Sequence, residues 1–172
     1  MNNIVIRNII RVLSLFFLQV ILFNNMNLGS YLNPSVYILF ILLLPVKINR
    51  SLLLIIAFGT GYLMDFFGNT PGLHSAACVF MAFLRPGTIN LLFRNQEFDS
   101  NEEPSPFSIG WGGFLRYSFV LILAHQFLLF YLEVLSFNHF FFTLSKVLLS
   151  TLLSIFLVLI LMLISGRRRK SI

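Results

Sequence analysis

The sequence predicts an all-α polytopic membrane protein with six transmembrane helices, and three observations support this fold class. The chain of 172 residues is 58% hydrophobic and only 10% charged, with a mean hydropathy of +0.88, whereas globular proteins carry about 25% charged residues. Its apolar runs are continuous and do not alternate every second residue, which favours helices over an outer-membrane barrel. Basic residues recur at every second break between the runs. We therefore expect residues 1–172 to form a single membrane domain.

Six apolar segments are predicted to be membrane helices, and the second is the shortest. It begins at Pro34, which suits the first turn of a helix, and it covers only about 20 Å of a hydrocarbon core about 30 Å thick. It must extend into its flanks, thin the bilayer or pack inside the bundle. In the fourth segment Pro86 disfavours helical geometry at Arg85, so we expect a kink there and Arg85 near the membrane surface. The segments span residues 9–23, 34–46, 51–67, 72–84 with a kinked continuation to 93, 114–135 and 140–165.

The distribution of basic residues predicts the orientation of the chain. The turns at 24–33, 68–71 and 136–139 contain no Lys or Arg, whereas the intervening breaks and both ends are basic. By the positive-inside rule both termini are therefore cytoplasmic. We interpret the net charge of +6 as a topology signal with some contact to anionic lipid, and not as nucleic-acid binding. The last basic group is expected to anchor the C-terminus: Arg167, Arg168, Arg169 and Lys170.

The composition changes sharply between residues 94 and 113. This stretch holds four of the six acidic residues, together with Pro and Gly. Such a composition is typical of a solvent-exposed loop, which the predicted topology places in the cytoplasm. Trp111 and Arg116 are then expected to mark the return of the chain to the membrane interface.

The stretch from Gly59 to Arg85 contains the most informative polar residue of the apolar part of the chain. Asp65 lies inside a membrane segment, where an ionisable residue is costly and needs a reason to be present. Ala57, Gly61 and Asp65 are four residues apart, so they share one face of a helix. The two small residues would let a neighbouring helix approach closely. Asp65 is then either a hydrogen-bonded brace or a group with a direct proton or ligand role.

The residues after Asp65 predict a tight helical hairpin. Gly68 is suited to a left-handed stop of the third segment, and Asn69 or Thr70 to the cap of the fourth. Pro71 fits the first turn of that next helix. Gly72 opens the fourth segment, and His74 follows one turn into it, within possible reach of Asp65.

No catalytic residue, metal or cofactor is predicted. The sequence lacks a GxSxG, P-loop or HExxH motif, and its carboxylates are not paired for acid–base chemistry. Cys78 follows His74 by four residues, on the same helix face, and with His125 and His139 as further candidates these residues offer a Cys/His metal site as an alternative. The chain contains one Cys, so these residues favour packing over metal binding. The protein is expected not to be an enzyme.

The run G-Y-L-M-D-F-F-G-N-T-P-G-L-H, residues 61–74, resembles the G-x-x-x-D…G-x-P-x-G-x-(H) stretch of MreD, the rod shape-determining membrane protein family. Asn33-Pro34 before the second segment, the six apolar segments and the basic C-terminus agree with the layout of that family. The acidic 94–113 loop departs from many of its members. The resemblance implies a fold similar to the S components of energy-coupling-factor vitamin transporters.

The same resemblance implies a role in the bacterial inner membrane. It implies a non-enzymatic scaffold of the cell-elongation (rod) complex, which regulates cell shape and peptidoglycan synthesis. The implied partners are an MreC-like single-span protein and, less directly, MreB and the cell-wall synthases. Gly61→Leu is expected to disrupt that assembly by blocking close approach of a partner helix. The alternative is a vitamin-binding transporter subunit, with an outer pocket near Asp65 and His74.

Overall fold

The structure is a computed structural model that describes residues 2–23, 33–99, 101–134 and 140–167. Within those ranges every regular element is helical. The first helix ends in a π-helical turn, Gln19–Phe23. The helices are α1 (Asn2–Leu18), α2 (Leu39–Leu42), α3 (Arg50–Gly68), α4 (Leu73–Leu92), α5 (Pro106–Val134) and α6 (Phe140–Arg167).

Four of these helices, α3 to α6, are long and apolar enough to cross a membrane. The all-helical fold class is thereby confirmed, while the count of six spans stays a prediction. A shorter apolar helical stretch, Ile10–Ile21, runs through the end of α1 into its π-helical turn. Of the predicted C-terminal anchor, Arg167 is the last residue of α6, and Arg168, Arg169 and Lys170 lie outside the described residues.

The second apolar segment is not the regular helix that the sequence predicts. Only Leu39–Leu42 is α-helical, and the preceding residues from Asn33 are irregular or form a turn. Residues 34–44 are all buried, so this segment packs inside the bundle. Backbone without helical hydrogen bonds is tolerated at membrane depth only where protein supplies the missing partners. Enclosure by the other helices is what permits the irregular conformation here.

The long helices pack in sequence order around this enclosed segment. Helix α3 contacts α4, α4 contacts α5, and α5 contacts α6, while α1 and its π-helical turn pack against α2 and α3. Hydrogen bonds place residues 33–36 level with Ser154, in the middle of α6. Residues 42–45 lie level with Arg85 on α4. The segment therefore runs through the interior of the bundle from the Ser154 level to the Arg85 level, antiparallel to α3.

Helix α4 continues through Pro86 to Leu92, close to the end of the continuation to residue 93 that the sequence predicts. The expectation that Arg85 lies near the membrane surface is wrong, because its side chain is only 1% exposed. A helix tolerates an internal proline when neighbouring groups satisfy the freed backbone positions. The guanidinium of Arg85 points into the bundle, where it has polar partners that the sequence does not reveal.

The connection after α4 is shorter than the 94–113 loop that the sequence predicts; its residues 94–97 are exposed, as predicted, whereas 104–106 are buried. Helix α5 begins at Pro106 and is interrupted only at Gly110, where φ is 73°. The connection folds under the bundle: the Glu102 carbonyl accepts a hydrogen bond from Val46 N at 2.9 Å. Glu103 pairs with Arg11 of α1 at 3.0 Å. The backbone contact and this ion pair hold the second half of the connection against the protein, while Glu97 and Asp99 are exposed.

Accessibility to a membrane-impermeant maleimide will test the orientation. In a Cys78→Ala background, which removes the one native thiol, Asn69→Cys at one end of α3 and Asn95→Cys beyond the end of α4 are both exposed sites. We expect labelling of Asn69→Cys in intact cells and of Asn95→Cys only after permeabilisation, because the two sites lie at opposite ends of the bundle. Labelling of both sites in intact cells would contradict the topology.

Candidate functional site

Asp65 links α3 to the beginning of α4. It is 6% exposed, and its Oδ1 accepts hydrogen bonds from Thr70 Oγ1 at 3.0 Å and His74 N at 2.9 Å. Its Oδ2 accepts from Ser75 N at 2.9 Å and Ser75 Oγ at 2.6 Å. The two backbone N–H groups belong to the first turn of α4, where no intrahelical acceptor exists. Asp65 is therefore a side-chain cap of α4 supplied by α3.

These hydrogen bonds occupy the acceptor positions of the Asp65 carboxylate. An ionised carboxylate offers about four lone-pair positions, and Asp65 receives four hydrogen bonds from the hairpin. A negative charge at this end of α4 is also favoured by the helix dipole. The geometry matches the brace alternative, and it leaves no acceptor position on Asp65 for a ligand.

The turn itself differs in detail from the sequence prediction. Helix α3 stops at Asn69, which adopts the left-handed conformation at φ 52°, whereas Gly68 is still helical. Asn tolerates this conformation better than most residues. Gly72 precedes α4 with φ 81°, and Pro71 is exposed beside it. The expected cap by Asn69 or Thr70 is replaced by the Asp65 carboxylate, to which the Thr70 hydroxyl also donates.

The small-residue face of α3 is covered by α4 of the same chain. A Cβ atom on Gly61 would lie 2.5 Å from Ser75 Cα and 2.6 Å from the His74 carbonyl oxygen. Ala57, one turn earlier, has no exposed surface. The tight turn brings α4 back onto this face, so the helix that approaches Gly61 closely is α4 of the same chain. Gly61 is needed for the internal contact.

His74 does not turn its ring toward Asp65. Its Nδ1 lies 3.0 Å from the hydroxyl of Tyr37, which is also 2.9 Å from His125 Nε2. Cys78 Sγ lies 3.5 Å from the same hydroxyl. Tyr37 is the residue that sequence analysis missed, because nothing in an apolar run marks a Tyr as the centre of a polar cluster.

These side chains do not form a metal centre in the part of the chain that the structure describes. No group of three His, Cys, Asp or Glu side chains is placed to hold an ion there. The Tyr37 hydroxyl lies within hydrogen-bond distance of both imidazoles. His139, the remaining candidate from the sequence, lies outside the described residues.

The upper part of the second segment is held by side chains from three helices. Gln19 donates to the Pro34 carbonyl at 2.9 Å and accepts from Val36 N at 2.8 Å. Together these bonds replace the intrahelical bonds that residues 33–36 lack. The other contacts are Asn33 N to Ser150 Oγ at 3.1 Å, Ser35 N to Ser154 Oγ at 3.0 Å, and Gln126 Nε2 to the Asn33 carbonyl at 3.3 Å.

Arg85 holds the lower part of the same segment. Its guanidinium donates to the carbonyl oxygens of Leu42, Leu44 and Pro45. Its Nε donates to Tyr117 Oη at 2.9 Å, and this hydroxyl donates in turn to the Leu42 carbonyl at 2.9 Å. No described carboxylate forms an ion pair with Arg85. Its buried charge is compensated by carbonyl dipoles that α2 and the following turn leave without helical partners.

We predict that Arg85→Met strongly destabilises the fold. Loss of the guanidinium leaves several buried carbonyls unpaired, at a cost on the order of 3 kcal/mol. Arg85→Lys should recover part of the loss, because it keeps the charge but not the planar fork. Thermal unfolding in detergent measures both effects. Arg116→Met, at an exposed position on α5, is the control, and equal stability of all variants would refute the role of Arg85.

A second prediction compares two glycines of α3. Gly61→Ala should destabilise the protein by about 1–3 kcal/mol, because the new methyl group meets the backbone of α4. Gly59→Ala has open space around it and should be neutral or stabilising by up to about 1 kcal/mol, because Ala favours helix. Thermal unfolding of the pair checks the difference, and a stable Gly61→Ala variant would contradict the close contact.

The fold and this site define a class of protein. Four long apolar helices enclosing a polar-clamped internal segment are typical of an all-helical, multi-pass membrane protein. Comparison with known proteins adds no family: no family model matches the chain, and no curated protein or solved structure shows significant similarity to it. Membership of a particular family therefore stays a prediction from residues 61–74.

Proposed function

We propose that the chain is a non-enzymatic membrane scaffold of the bacterial cell-elongation complex, of the MreD type. In this proposal it regulates cell shape and peptidoglycan synthesis by binding an MreC-like single-span protein. One observation supports a scaffold above other functions. The polar and small residues of the 61–74 stretch serve the architecture of the hairpin, since Asp65 caps α4 and Gly61 admits its backbone.

The proposal includes six crossings, with both termini in the cytoplasm and the protein in the inner membrane. Helix α1 and the descending second segment supply two crossings in addition to α3–α6. The antiparallel course of the second segment relative to α3 supports this count. MreB and the cell-wall synthases are proposed as indirect partners, the lipid bilayer surrounds the bundle, and no nucleic acid is involved.

A partner helix needs a surface other than the covered Gly61 face. Gly59 is an exposed small residue on α3, and its Cβ position has no neighbour within 4 Å. It lies between Ile55 and Tyr62, which are 67% and 58% exposed. A glycine flanked by large side chains allows the backbone of a second helix to approach closely. We therefore propose that the single-span partner crosses α3 at Gly59.

Co-purification tests the proposed contact. Gly59→Leu should reduce the recovery of the MreC-like protein several-fold, because the larger side chain blocks close approach, while the variant itself stays folded. Gly87→Leu on α4 is a matched control, since Gly87 also faces open space. Depletion of the protein should make rod-shaped cells round. Unchanged cell shape and wall synthesis after depletion would overturn the scaffold role.

A vitamin-type substrate-binding subunit is the second candidate, and one observation favours it. His125 Nδ1 and Gln126 Oε1 are buried and have no hydrogen-bond partner among the described residues, and buried polar groups normally have one. In this candidate function, a small polar ligand supplies the missing partners. A vitamin that raises the unfolding temperature, with loss of that shift in Gln126→Leu, would support this candidate over the scaffold.

A further inference from the structure

A basic cavity of about 790 Å³ lies where α3 begins and α4 ends. Lys47, Arg50 and Arg94 line it and are exposed, and the buried Arg85 forms part of its wall. Glu97 and Asp99 also line the cavity, but no ion pair joins either of them to a described basic side chain. Four basic side chains against two acidic ones leave the lining with an excess of positive charge, and this excess lies on the exposed basic residues because carbonyl oxygens compensate Arg85.

An apolar groove of about 820 Å³ runs between α3 and α4. Its α3 side contains Leu54, Phe58 and Tyr62, which are spaced four residues apart. Arg50 of the basic cavity lies four residues before Leu54, so it belongs to the same series. On α4, Phe83 of the groove is followed at helical spacing by residues of the cavity wall. Residues at these spacings share a helix face, so the cavity and the groove follow one line along the α3–α4 surface.

We propose that this composite surface binds an anionic phospholipid, with its phosphate in the basic cavity and one acyl chain in the groove. Arg50 and Tyr62 are twelve helical steps apart and therefore span about 18 Å. This length matches one leaflet, which is about 15 Å, half of the hydrocarbon core. The basic end of the bundle faces the cytoplasm under the positive-inside rule, and the cytoplasmic leaflet is the one that presents anionic lipid.

The apolar continuation favours a lipid over other anions. A free phosphate would use only the charged cavity, and an acidic peptide would gain nothing from Phe58 and Phe83, which are 54% and 70% exposed toward the bilayer side of the helices. A phospholipid satisfies the charged cavity and covers the aromatic groove at the same time. The inference does not depend on the scaffold role, because it uses the cavity, the groove, their charges and the predicted orientation of the bundle.

Native mass spectrometry of the full chain in detergent tests the proposal, with phosphatidylglycerol as the probe and phosphatidylcholine as the neutral comparison. We expect preferential retention of phosphatidylglycerol. Arg50→Gln combined with Arg94→Gln should weaken retention about tenfold or more, and Ala76→Phe, which fills the groove, should weaken it too. Arg116→Gln, at an exposed site on α5, is the matched control and should bind normally. Unfolding temperatures confirm that each variant is folded.

Three results would overturn the proposal. Equal retention of the two lipids would remove the charge specificity. Displacement by millimolar inorganic phosphate, with no effect of Ala76→Phe, would identify the cavity as a free-anion site. Displacement of the lipid by hexaglutamate, again with no effect of Ala76→Phe on retention, would identify the cavity as a contact for an acidic protein segment.

Discussion

The structure depends on hydrogen-bonding an irregular backbone segment in the middle of a membrane bundle. Residues 33–46 contain only one short helical turn, so much of their backbone has no partner within the segment. Each unpaired group in such surroundings costs several kcal/mol. Side chains inside the bundle hydrogen-bond this backbone at both ends of the segment. Gln19, Gln126 and Ser154 do so at one end, and Arg85 does so at the other. Several buried polar residues of the long helices, among them Gln126, Ser154 and Arg85, are therefore best understood as partners of this segment.

The hairpin of α3 and α4 fixes the frame around that segment. Asp65 ties the start of α4 to α3, and Gly61 allows the two backbones to come within contact distance. The position of α4 in turn sets where Arg85 enters the interior, and it brings His74 and Cys78 to Tyr37. A change at Asp65 would therefore be transmitted to both polar clusters through the placement of a single helix.

This arrangement bears on function by separating an enclosed interior from two chemically different outer surfaces. The interior polar groups are largely occupied by the chain itself, which suits a rigid scaffold. The exposed surface of α3 offers an apolar notch at Gly59 and, around the helix, the groove that leads to the basic cavity. A membrane partner and an anionic lipid can therefore be proposed for adjoining parts of one helix surface, with Tyr62 at the boundary between them.

The sequence by itself determined the all-helical membrane class, most helix positions, and the Asp65 hairpin, because hydropathy, turn residues and helical spacing are local properties. It also indicated the brace role of Asp65 as one of two alternatives. Only the tertiary structure decided that the second segment is irregular, that α5 starts at Pro106, and that Arg85 is buried. Those features depend on contacts between groups that are distant in the sequence. Neither the Leu42 carbonyl nor the Arg85 guanidinium indicates by itself that the two will meet, and their contact is what makes the irregular segment and the buried charge compatible with a membrane interior.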